Sequence, residues 1–140
     1  MEIDPRGPRF SAVITTVVLA VVLVTGSAWL LAAQVAVFAV GALAGLRYAP
    51  YGVLYRRLIR PRLGPPARTE AEGPPRFAQG MGMVIAAIGV ICLAVGATPA
   101  GLAFTALALA AAFLNAAFDI CLGCQVYLFI KRNQRVRPSA

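Results

Sequence analysis

Histidine is absent from the 140-residue sequence. This removes imidazole-ligated haem, imidazole metal sites and Ser-His or Cys-His catalysis from the chain. Cysteine is sparse: Cys92, Cys121 and Cys124 are too few for a disulfide scaffold, and the chain does not read as a secreted one. Charge is scarce too, at 13% of residues against about 25% in a soluble domain. What replaces it is apolar: 60% of residues are hydrophobic and the mean hydropathy is +0.79. The apolar residues come in long unbroken runs, where a soluble helix would show a polar stripe at the helical period. The lipid bilayer is the solvent that fits.

The charges present are mostly basic, 13 Lys plus Arg against 5 Asp plus Glu. Such a balance raises the question of nucleic acid. These arginines flank hydrophobic runs, however, where they report topology and contacts with anionic headgroups, so no nucleic-acid partner is expected. Arg9, Arg56, Arg57, Arg60 and Arg76 are the expected headgroup contacts.

No residue from Phe10 to Leu46 carries a formal charge. This run of 37 residues is nearly twice the ~20 that cross a bilayer as a helix. It is also too long for a signal-peptide core and leads straight into further apolar sequence, so it is expected to remain in the protein. Thr25-Gly26-Ser27 is a turn-prone break that divides it into a hairpin, Phe10–Val24 and Ala28–Leu46. Residues 47–76 form a basic loop with seven arginines and six prolines. Within it, Tyr51–Arg60 reads as a short interfacial helix, with Tyr51, Leu54, Tyr55 and Leu58 toward lipid and the arginines toward water. The Gly-Pro-Pro repeats at 64–66 and 73–75 read as stiff extended linker. Phe77–Gly96 is a third span, and a turn around Pro99 leads into a last apolar stretch from Ala100 to Ile130.

The expected architecture is an all-α membrane protein with four transmembrane helices in two hairpins. Residues 1–9 form a cytoplasmic N-terminus, 10–46 the first hairpin, 47–76 the basic loop, 77–130 the second hairpin and 131–140 a basic tail. Every Lys and Arg then falls on one side of the membrane, the cytoplasmic side of a multi-pass protein of the cell (inner) membrane with both termini inside. Pro8-Arg9-Phe10 and Pro75-Arg76-Phe77 open the two hairpins alike, which fits either an internal repeat or two copies of one interfacial anchor. Small-residue faces, Gly41-x-x-x-Gly45 and the series Ala78, Gly82, Ala86, suit close packing of helices within the chain and leave room for a homo-oligomer.

The chemistry concentrates at Asn115 to Gln125. Asp119 is the only formal charge inside the apolar runs, Asn115 is an intramembrane polar residue beside it, and Cys121-x-x-Cys124 follows. Ala100–Ile130 would be about 46 Å long as one helix, against a hydrocarbon core of about 30 Å. Either the helix tilts and projects, or it breaks near Asp119. Unbroken, Asp119 faces away from both thiols. Broken, Asp119 is a natural N-cap and Cys121 lies in the first turn, where free N–H groups favour a thiolate.

The opening Ile3-Asp4-Pro5-Arg6-Gly7-Pro8-Arg9-Phe10, the central Arg60–Pro66 and Pro74–Gln79, and the closing Ala112–Phe118 with Cys121-Leu122-Gly123-Cys124 resemble bacterial membrane proteins called domain of unknown function 4395. The resemblance covers nearly the whole chain and implies the membrane fold rather than an activity. In that family the residue at 119 is usually not acidic, which sets Asp119 apart. The resemblance also implies thioredoxin-like or sulfurtransferase proteins as partners. Three functions remain open: a thiol/disulfide or sulfur-handling protein using Cys121 and Cys124 as catalytic residues; a non-catalytic membrane subunit or scaffold; and a carrier of a soft metal or small anion, with two cysteine pairs meeting in a dimer. The sequence shows no metal site within one chain and leaves any cofactor unknown.

Overall fold

The computed structural model describes residues 2–65 and 69–136. Helix α1 spans Arg6–Thr25 and ends at Gly26, whose left-handed φ of 65° costs an achiral residue nothing. Ser27 then caps α2, Ala28–Ala39, its hydroxyl accepting the Leu30 N–H at 3.1 Å. The turn read at Thr25-Gly26-Ser27 is where one helix ends and the next begins. Helix α2 widens into a π-helical turn at Val40–Ala44.

After a 3₁₀ turn at Leu46–Tyr48, the central segment is helical from Pro50 to Leu63: α3 is Pro50–Leu54, Tyr55–Ile59 is π-helical and α4 is Arg60–Leu63. The tyrosines here turn inward rather than toward lipid. Tyr55 is 2% exposed and donates to Asp4 at 2.9 Å, while Tyr51 donates to Gln34 of α2 at 2.8 Å. Buried polar partners outbid lipid for the two hydroxyls. Leu54 and Leu58 do face outward.

Glu70–Ala71 pairs with Glu2–Ile3 in a two-residue antiparallel ladder. Helix α5 then runs Gly73–Ala94, α6 Thr98–Phe118 and α7 Leu122–Val136. The second Gly-Pro-Pro is thus not linker. Pro74 and Pro75 occupy the first turn of α5, where a helix has no use for the missing N–H. Pro66 of the first repeat lies outside the described residues.

Among the described residues, α1, α5 and α6 are each long and apolar enough to cross a membrane; Ala28–Ala44 is a shorter apolar helix. Their packing interlocks the two halves of the chain, with α1 chiefly against α6, α2 against α5, and α5 also against α6 and α7. Leu19, Val22, Leu31, Phe38, Ala86 and Ala108 form the core. The small-residue faces serve this packing: the Phe38 ring lies where a Cβ on Gly82 would come within 3.0 Å, and Gln79 covers Gly41. Val17, Val24, Ile91 and Leu107 point outward from the long helices, and Trp29 is 89% exposed at the uncharged end.

The repeated Pro-Arg-Phe makes the same two contacts in each half. Arg9 donates to the Ala116 carbonyl at the end of α6, and Arg76 donates to the Ala42 and Leu43 carbonyls in the π-helical turn that ends α2. The Phe10 ring packs on Tyr55 at 5.7 Å, and the Phe77 ring packs on Tyr127 at 5.6 Å. In each half an arginine satisfies carbonyls at a helix C-terminus, and an aromatic receives a tyrosine from the helix that follows the half's pair of long helices.

Candidate functional site

The long apolar stretch after Pro99 breaks, and it breaks beside Asp119. Helix α6 ends at Phe118, and Asp119 takes a left-handed φ of 57°, a conformation Asp tolerates better than most residues. Two bonds close the end, from the Asp119 N–H to the Asn115 carbonyl at 3.2 Å and from the Ile120 N–H to the Leu114 carbonyl at 3.1 Å. Asp119 therefore terminates α6 instead of capping α7, and its side chain is exposed. Asn115 is half-buried one turn earlier.

The capping position of α7 falls to Cys121. Its Sγ accepts the Cys124 N–H at 3.2 Å, and its carbonyl accepts the Gln125 N–H at 3.1 Å. This is the geometry of an N-cap side chain bonded to the third helical residue, with sulfur in place of oxygen. Cys121 and Cys124 are joined as a disulfide with their Cα atoms 5.2 Å apart, and both are half-buried. The positive end of the α7 dipole lies at the same sulfurs. Cys92 is free and sits near the far end of α5. Among the described residues no group of three or more Cys, Asp or Glu is placed to hold a metal ion.

Helix α7 is fixed to the first turns of α5 by close contact. A Cβ on Gly123 would stand 2.6 Å from both Cα and Cβ of Ala78, and one on Gly73 would meet the Tyr127 hydroxyl at 2.8 Å. Lys131 lies over the outer part of the Tyr127 ring, 5.7 Å from its centroid. The glycine between the two cysteines is thus a point of close approach between α7 and α5. Sequence reasoning missed it, although a glycine inside a Cys-x-x-Cys on an amphipathic helix is a signal of close approach.

The remaining expected site residues gather at the same end of the bundle without joining the cysteines. Arg9 reaches Ala116, three residues before Asp119. Arg56 donates to the Arg47 carbonyl, Arg60 lies 4.0 Å from Asp4, Arg76 caps α2, and Arg57 is exposed. A second cluster went unread in the sequence. Asp4, with its side chain 6% exposed, accepts from the Arg6 backbone N–H at 3.0 Å, from Arg6 Nε and Nη2, and from Tyr55. Burial pushes this carboxyl up, but the Arg6 and Tyr55 bonds outweigh burial and hold it below the usual value of 3.8. Burial and the bond to Asp4 raise the Tyr55 phenol.

A family model described as domain of unknown function (DUF4395) matches residues 3–132, and the chain belongs to that family. No curated protein and no solved structure matches it.

Proposed function

Within that family, we propose that this chain is a four-span membrane protein whose Cys121–Cys124 pair exchanges disulfides with a soluble dithiol protein. The spans are α1, α2 with its π-helical extension, α5 and α6. Both termini and the basic end are cytoplasmic, because every Lys and Arg then lies on the inner side of the cell membrane. Helix α7 rests at the membrane surface, its Leu122, Val126, Phe129 and Ile130 exposed for contact with lipid.

One observation carries the thiol reading: the Cys121 sulfur caps a helix and accepts the Cys124 N–H. A group so placed is favoured as a thiolate. In the reduced protein the Cys121 thiolate attacks a substrate disulfide. The substrate S–S bond breaks, a mixed disulfide forms on Cys121, and the released sulfur takes up a proton. Cys124, losing its proton, then attacks the Cys121 sulfur of the mixed disulfide, releases the second substrate thiol and closes the Cys121–Cys124 bond present in the structure. Two electrons pass from the pair to the substrate, and of the two protons taken up one is released by Cys124 and one comes from water. A thioredoxin-like dithiol protein on the cytoplasmic side returns the electrons, and a sulfurtransferase is the other partner class that such a pair can serve.

Alkylation of the reduced protein in membranes near pH 7 tests this reading. Cys121 is expected to react at least about tenfold faster than Cys92, as a capped thiolate should. Equal and slow labelling of all three cysteines would sink the thiol reading and leave a non-catalytic subunit as the better one.

A further inference from the structure

Apart from the cysteines, the charged end of the bundle contains a cavity of about 440 Å³ between the N-terminal segment, the central helical segment and the start of α5. Arg47, Arg56 and Arg60 line it, with Ser11 of α1, Gln79 of α5 and Tyr55 among its other lining residues. Ser11 is buried and Gln79 half-buried, so the cavity reaches polar groups well inside the bundle. Its size falls within the range of about 300–1,000 Å³ typical of small-molecule sites.

The charge balance decides what fits. Asp4 also lines the cavity, but its carboxylate is already matched by the Arg6 guanidinium and the Tyr55 hydroxyl. Glu72, close by, is occupied in accepting the Leu46 N–H at 3.0 Å. Arg60 is 4.0 Å from Asp4, which leaves most of its fork free, and Arg47 and Arg56 pair with no carboxylate among the described residues. Three arginines line one polar cavity whose single acid is already satisfied; the Arg47 guanidinium rests over the Tyr48 ring at 5.1 Å and Arg56 on the Arg47 carbonyl, and arginines so grouped are the recognition chemistry of a doubly charged oxyanion.

We infer that this cavity is a binding site for a phosphoryl group, carried either by a phospholipid headgroup of the surrounding bilayer or by a small soluble phosphate. The inference is independent of the thiol reading, because none of its residues touches the cysteines. It also separates Arg47, Arg56 and Arg60, which share the cavity, from Arg57, which does not line it.

The test uses the full chain purified in mild detergent. Thermal stability is followed while inorganic phosphate is added against chloride at equal ionic strength. Native mass spectrometry of the same preparation looks for retained phosphatidylglycerol. Saturable stabilisation by phosphate identifies a soluble ligand. One-to-one retention of the lipid identifies a headgroup. In either case Arg47→Gln and Arg56→Gln should each weaken binding about tenfold, the effect of removing one charge-assisted bond, while Arg57→Gln leaves it unchanged. Because Arg56 also holds a backbone carbonyl, circular dichroism of each variant checks its fold, and Arg56→Lys, which keeps the charge, should retain part of the affinity. Neither phosphate stabilisation nor lipid retention in the wild type, or equal loss in Arg57→Gln, overturns the proposal.

Discussion

Gly123→Val is expected to lift α7 off α5. A Cβ at this position falls 2.6 Å from the backbone α-carbon of Ala78 as well as from its methyl group. A backbone atom cannot rotate out of the way, and valine adds two methyl groups to the conflict. The two helices must move apart, which forfeits the tilted Phe77–Tyr127 ring contact and the seat of Tyr127 over Gly73. Overpacking of this kind costs about 2–3 kcal/mol, which is roughly a hundredfold in the population of detached helix. Trypsin cleavage at the exposed Lys131 and Arg132 should accelerate by about that factor. Gly123→Ala should show a smaller effect of the same sign. Adding Ala78→Gly should rescue the alanine variant only in part, because the clash with the backbone at position 78 persists. An unchanged cleavage rate in Gly123→Val would mean that α7 is not held against α5 at this glycine.

Asp4→Ala should destabilise the protein nearly as much, by a different route. The carboxylate is the shared acceptor of Arg6 and Tyr55. Its loss leaves the Tyr55 hydroxyl buried without a partner and removes the counter-charge of Arg6. Stranding the buried Tyr55 hydroxyl costs about 1–3 kcal/mol. The ionisation of Asp4 gives a sharper signature. Its pKa is lowered in the folded chain, so its contribution is fully present above the ordinary value of 3.8. The contribution is then lost as pH falls through the lower folded value. The gap in melting temperature between wild type and Asp4→Asn should therefore stay constant from neutral pH down to about 5 and close below about 4. A gap that persists undiminished at pH 2 would show that the charge of Asp4 does not carry the stabilisation.

Features with a local cause were legible in the sequence. The turn at Gly26 needs one residue at positive φ and one hydroxyl to cap the next helix, and both stand next to each other in the chain. Length alone raised the break near Asp119 as one of two outcomes, the other being a tilted helix that projects beyond the hydrocarbon core, and the helix end at Phe118 decides for the break. The details beside it did not follow. Aspartate is both a good N-cap and a tolerant left-handed residue, and only the closing bonds to Asn115 and Leu114 decide between the two roles. The inward turn of Tyr55 was out of reach because its partner Asp4 lies 51 residues upstream. The periodicity of the central segment marks an amphipathic helix, but it cannot say that two of its amphipathic tyrosines have buried acceptors waiting. The second Gly-Pro-Pro was misread for a related reason. Proline excludes itself from a helix interior but suits the first turn, and the sequence does not announce which of these a Pro-Pro pair will meet.

The interlocking of the two halves has a consequence for how the chain is made. Helix α1 packs mainly on α6, and the carbonyl that Arg9 grips is 107 residues further along. At about 5–20 residues per second, a ribosome needs roughly 5–20 s to deliver that partner after Arg9 has been joined. During this interval α1 and α2 have each other, the thinner of the interfaces they will eventually form. The first pair of helices is therefore made as an unfinished half, and the arrival of α5 and α6 is the step that completes it.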